Sequence, residues 1–155
     1  MNSQLSNKLS GLRIIAQNIR SFNVSAKSFK LIKSKLLTVI DNNPDIVILS
    51  ECKISQSLAK ANISRFMSLS KKGPYDSFFN SSKKSRGVTI FIKSGTFDQV
   101  NIIYQSPSQN SIILKCMFGG EVLFIVGLYL SDNQADISNL YEFLPTNATI
   151  IVGGI

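Results

Sequence analysis

A chain of 155 residues that is 44% hydrophobic and 17% charged has the size of one domain and is too apolar to stay disordered. Seventeen Lys+Arg against nine Asp+Glu leave a net charge of +8, which fits an anionic partner, nucleic acid first, and equally fits solubility alone. These residues contain no histidine, which excludes Ser-His-Asp and Cys-His catalysis and any histidine metal ligand within them.

Residues 1–11 read as a polar leader without the apolar stretch of a signal peptide. "LRIIAQ" (12–17) predicts a strand. In "SAKSFKLIKSKLLTVI" (25–40), Phe29, Ile32, Leu36, Val39 and Ile40 share one helical face, with Lys27, Lys30 and Ser34 opposite. Ser25 suits the N-cap, and Pro44 in "DNNPD" stops the helix. "IVILS" (46–50) is an apolar strand, so the order is βαβ. Its two strands are then parallel, and a right-handed crossover puts both C-terminal ends on one sheet edge.

A weaker helix is expected over 55–69. "KKGPYDSFFNSSKKSRG" predicts a short strand, Tyr75 to Phe79, between two basic loops. "GVTIFIK" alternates, with Val88, Ile90 and Ile92 on one face. "SIILKCMF" and "EVLFIVGLYL" form a hairpin through Gly119-Gly120. "NQADISNLYEFL" (133–144) predicts a helix and "ATIIVGG" a last strand. The whole is an α/β (α+β) chain, a mixed sheet with flanking helices. Its longest apolar run, "VLFIVGLYL", is nine residues, too short to span a bilayer. Cys52 and Cys116 are too few for a disulfide framework. They read as buried reduced thiols of an intracellular protein, nuclear or cytoplasmic, with no membrane partner.

Three polar residues end apolar strands: Asn18, Glu51 and Tyr129. A strand-terminal Asn can simply be a turn residue, and a strand-terminal Tyr part of the core. Glu51 says more, because a carboxylate beside a buried run is costly unless its charge is compensated. In open α/β sheets, sites form outside the carboxyl ends of strands. If Asn18 and Glu51 share that edge, a carboxylate and an amide converge where hard Mg²⁺, or Mn²⁺ in its place, would be at home.

"LRIIAQNIRSF", "PDIVILSECK", "SRGVTIFIK", "LYLSDN" and "IIVGG" resemble, in order and spacing, the endonuclease/exonuclease/phosphatase (DNase I-like) superfamily. "QNIRSF" and "LSECK" look most like the endonuclease domain of non-LTR retrotransposons. The resemblance covers residues 12–154. It implies part of a four-layer α/β/β/α sandwich, a Mg²⁺-dependent hydrolysis of DNA phosphodiesters, and the rest of a retroelement polyprotein as a partner. By it, Asn18 organises metal and phosphate, Glu51 is the metal ligand, Tyr129 contacts the phosphate, and Arg86 positions backbone. The usual "YAP" or "YNP" reads "YLS" here, and "GG" is followed by Ile155 where the family has Asp-x-Asn. These departures lead us to expect an N-terminal portion, residues 12–155, inactive alone, with one apolar sheet face left without a partner sheet.

Two other functions stay open: a non-catalytic nucleic-acid-binding fragment, or a phosphatase or phosphodiesterase of the same superfamily acting on inositol phosphates or lipids. Lys71, Lys72, Lys83, Lys84 and Arg86 are expected to gather in one region around Tyr75. Interleaved with Tyr75, Phe78 and Phe79, they would suit a DNA backbone, or else form a solvated loop pinned by its aromatics.

Overall fold

The computed structural model describes residues 9–22, 29–81, 86–129 and 140–154. Strand β1 (Ile14–Asn18) runs parallel to β2 (Ile46–Ser50), with Asn18 opposite Ser50. Helix α1 (Phe29–Ile40) makes the crossover between them. It buries Ile32, Leu36, Val39 and Ile40 and leaves Lys30 and Ser34 exposed, as its spacing predicts. Ser25 and Lys27 lie outside the described residues.

Every residue of β2 is buried. Val47 and Leu49 pack under α1, while Ile46 and Ile48 face the other way. Burial of each such side chain is worth roughly 1.5–3 kcal/mol, which is why this strand has no polar face. Beyond it lie β4 (Gly87–Lys93) and β3 (Tyr75–Ser81), both antiparallel to their neighbours, in the order β1-β2-β4-β3. The expected helix over 55–69 is α2 (Gln56–Leu58), a π turn (Ala59–Ile63) and α3 (Ser64–Ser68). Ser55 caps it, its Oγ accepting from the Leu58 N–H at 3.3 Å.

A second four-stranded sheet follows: β5 (Gln99–Gln105), β6 (Ser111–Phe118), β7 (Glu121–Leu128) and β8 (Thr149–Gly153), adjacent in that order. The β6–β7 hairpin turns at Gly119-Gly120 as expected. β5 was not expected. The two sheets share one core: Ile46, Ile48, Val88, Ile90 and Ile92 of the first meet Ile112, Leu114, Cys116, Leu123 and Ile125 of the second. This corrects the expectation of a sheet face without its partner, because both sheets lie within this chain.

The described layers are therefore α/β/β. On the outer face of the second sheet, Ile113, Phe124, Val126 and Leu128 pack with Leu140, and Phe143 stacks on Tyr104 at 4.2 Å. Of the helix expected over 133–144, residues 133–139 lie outside the described residues, Leu140 is helical, and 141–143 form a turn. No helix among the described residues is long and apolar enough to cross a membrane.

Candidate functional site

The parallel β1–β2 pair delivers Asn18 and Ser50 to one edge, and Glu51 is the next residue. The pairing does not stop at Ser50. The Ile19, Ser21 and Phe22 N–H groups donate to the Ser50, Glu51 and Cys52 carbonyls at 3.1, 2.7 and 2.9 Å. On the other side, the Cys52 and Lys53 N–H groups donate to the Gly87 and Arg86 carbonyls at 3.1 and 2.9 Å. Ser81 Oγ donates to the Ile54 carbonyl at 2.6 Å.

Held between these rails, Glu51 (φ 58) and Lys53 (φ 48) adopt left-handed backbone that side-chain-bearing residues rarely take. Cys52, between them, is fully buried, and its thiol pKa is pushed up to about 12 by burial. The kinked rail keeps Cys52 in the core and leaves Glu51 and Lys53 only partly covered. Arg86 (φ 63) lends its carbonyl to the Lys53 N–H.

Glu51 is ionised more readily than an ordinary glutamate. A hydrogen bond from Lys53 lowers its pKa most, followed by one from the Asn18 amide, with Arg20 adding a weaker attraction. The Lys53 ammonium lies 3.1 Å from Glu51 Oε1. Asn18 spends its Oδ1 on the Arg20 N–H at 2.9 Å. It therefore orients Glu51 through its amide donor, and only the second lone pair of Oδ1 is left for a cation.

The second sheet reaches the same edge through glycine. A Cβ on Gly153 would lie 2.9 Å from Ile48 Cδ1 and 3.0 Å from Ala16 Cβ. Gly154 (φ 90) would place one 3.1 Å from the Leu128 carbonyl and 3.5 Å from Ser50 Cβ. The end of β8 thus sits between Ser50 and Leu128, one residue short of Glu51 and Tyr129 respectively. Tyr129 packs partly buried on the intersheet core, and its N–H donates to the Asn110 carbonyl at 2.7 Å. That carbonyl belongs to a buried polar knot. Asn80 Nδ2 donates to the Ser106 and Ser111 carbonyls at 2.9 and 2.7 Å, and Ser106 Oγ accepts from the Asn110 and Ser111 N–H groups.

Sequence reasoning missed Asn80, Lys53 and the role of Gly153-Gly154. A hint to the first was an amide inside the apolar "SFFNS". A hint to the last was a glycine pair closing an apolar strand.

Among the described residues, Lys71, Lys72 and Arg86 do not form one patch. Arg86 stands at the Glu51 edge, whereas Lys71 and Lys72 precede the other end of β3. Seven strand residues separate the two ends, roughly 20 Å. Lys72 is engaged there with Asp41 at 2.9 Å. Tyr75 is buried with its hydroxyl on the Pro44 carbonyl, and Phe79 is buried under the helices, so these aromatics pin β3 to the core. Lys83 and Lys84 lie outside the described residues.

The chain has the fold of the DNase I-like endonuclease/exonuclease/phosphatase proteins. TDP2 from Caenorhabditis elegans matches 92% of this chain at TM-score 0.56 and 18% identity, over 46% of its own length. An AP endonuclease from Archaeoglobus fulgidus matches 91% at TM-score 0.54 and 16% identity, over 55% of its length. The 3′ phosphatase NExo from Neisseria, bound to a product DNA hairpin, matches 85% at TM-score 0.50 and 17% identity, over 48% of its length. The chain therefore spans about half the length of these structures. No protein-family model and no curated protein matches the sequence.

Proposed function

We propose that this chain is the Glu51-bearing portion of a Mg²⁺-dependent phosphodiester hydrolase that acts on DNA, of the kind found in non-LTR retrotransposons. The observation that carries the proposal is the convergence at one sheet edge of Glu51, Asn18 and the Tyr129-bearing end of β7, inside a DNase I-like fold. The donor set fits a hard divalent ion: one ionised carboxylate and one amide oxygen, with room left for waters and phosphate oxygens. Among the described residues no three His, Cys, Asp or Glu side chains stand together, so Glu51 anchors the ion rather than caging it.

In this reading Glu51 holds the cation, Asn18 fixes the carboxylate's rotamer, and the Tyr129 hydroxyl donates to a phosphate oxygen. The ion, when bound, supplies charge stabilisation to the phosphoryl group. The base that activates water is proposed to belong to the part of the fold these residues do not span. The DNA-binding half of the proposal is supported by the +8 net charge and by Arg86 at the edge.

The test is nicking of supercoiled plasmid by the full-length protein, with Mg²⁺ and with EDTA. Glu51→Gln keeps the shape and removes the charge, so nicking is expected to fall by about 100-fold or more, equivalent to several kcal/mol of lost charge stabilisation. Near-normal nicking by that variant would remove Glu51 from the metal. DNA binding without any nicking by the wild-type protein would favour a binding-only role.

A further inference from the structure

We propose that Lys53 is a built-in counter-ion which occupies the cation side of Glu51 and is exchanged for the divalent ion when that ion binds. The inference rests on the reading of Glu51 as a metal ligand and adds a competitor to it. Three observations carry it. The ammonium sits 3.1 Å from one carboxylate oxygen, on the carboxylate that the sheet edge presents. Its place is set by backbone rather than by chance of a long side chain. Glu51 and Lys53 are both left-handed, and the Lys53 N–H is tied to the Arg86 carbonyl, so the two side chains leave the rail together. Asn18 holds the same carboxylate from the β1 side and keeps it aimed while the cations exchange.

The choice of residue type fits exchange. A lysine ammonium is a monovalent point charge on a flexible stem, and Lys53 is 37% exposed, so it can swing into solvent. An arginine would grip the carboxylate with a fork and resist displacement. The cost of the arrangement is affinity, because a divalent ion sees only the fraction of Glu51 that is free of Lys53. The return is a second use for the displaced ammonium. Freed beside a bound divalent ion, it is available to a phosphate oxygen, so ion and phosphate each favour the other's binding. The charge that answers the strand-end carboxylate is thus already inside the chain before any metal arrives.

The experiment is a Mn²⁺ titration followed by the EPR signal of the free aqua ion. It compares wild type, Lys53→Met, Lys53→Gln and Glu51→Gln, each first shown by circular dichroism to be folded. Lys53→Met and Lys53→Gln are expected to bind Mn²⁺ about 5-fold more tightly than wild type, the effect of removing one unit charge a few ångströms away in a wet site. Glu51→Gln is expected to lose the site. Equal or weaker binding by both Lys53 variants, with Glu51→Gln still losing the site, overturns the exchange and leaves the metal reading standing. Undiminished binding by Glu51→Gln overturns the metal reading and this inference with it.

Discussion

At the scale of single residues, Glu51 shows how an expensive group is tolerated. A carboxylate after five buried residues is answered by an ammonium and an amide, both delivered by backbone pairing. This has a pH signature. The folded pKa of Glu51 lies below its ordinary value of 4.5, so its contribution to stability is present above that value and is lost as pH falls through the folded pKa. Lys53→Met removes the largest cause of the shift. Its Glu51 carboxyl resonance is therefore expected to titrate at higher pH than in wild type, and its denaturant midpoint to fall less steeply on acidification below 4.5. An unchanged NMR titration would show that Asn18, not Lys53, holds the carboxylate. The two thiols need no such partner. Cys52 and Cys116 are free and buried, with pKa values near 12, as two isolated cysteines in a core should be.

At the scale of elements, glycine sets the spacing between sheets. A Cβ on Gly127 would lie 2.5 Å from Val88 Cγ1 and 3.2 Å from both Ile112 Cγ2 and Ile90 Cδ1. Gly127→Ala is therefore expected to destabilise the fold by ~1–3 kcal/mol in a chemical denaturation curve, as overpacked cores do. A change within ~0.5 kcal/mol would mean that the sheets part more easily than their packing implies.

The same elements show what could be read in advance. α1 and β2 were legible because their burial follows a clean period, 3.6 in one and a full apolar run in the other. β5 was not, because its register shifts between Ile102 and Tyr104. That irregularity puts the adjacent Ile103 and Tyr104 on the same outer face, while Val100 before it faces the intersheet core, so "QVNIIYQ" does not keep a period of two. Asn18, Glu51 and Tyr129 were legible as polar ends of apolar strands. Asn80 was not, because its partners are the Ser106 and Ser111 carbonyls, far along the chain, and backbone leaves no mark in the sequence.

At the scale of the whole molecule, both sheets that line the shared core lie among the described residues. An N-terminal portion is expected to leave one sheet face bare, yet β5 to β8 lay a second sheet over the first. The reason lies in pairing. β8 joins β7 in parallel, so the short "TIIVG" extends the sheet that the β5–β6–β7 strands begin. Charge at this scale separates two poles. Lys71 and Lys72 flank the end of β3 remote from Glu51, and Arg86 flanks the near end. Replacing Lys71 and Lys72 with Ala is then expected to leave the slope of log K against log salt for DNA unchanged. Arg86→Ala is expected to flatten that slope by up to ~0.9, one phosphate contact. The opposite pattern would move the DNA to the far pole.

The contact of Gly153 with Ala16 and Ile48 has a consequence in time. The last described strand packs on the first, so the Glu51 edge is assembled from strands far apart in sequence. Closing so long a loop adds little to its entropic cost, which grows only with the logarithm of length, but long-range pairing slows folding. During synthesis, β1 and β2 leave the ribosome long before β8, so the floor beneath Glu51 waits for β8. Until then the face of Ile48 that Gly153 covers is open to chaperones, and a ribosome stalled before Thr149 would release a sheet without its clasp.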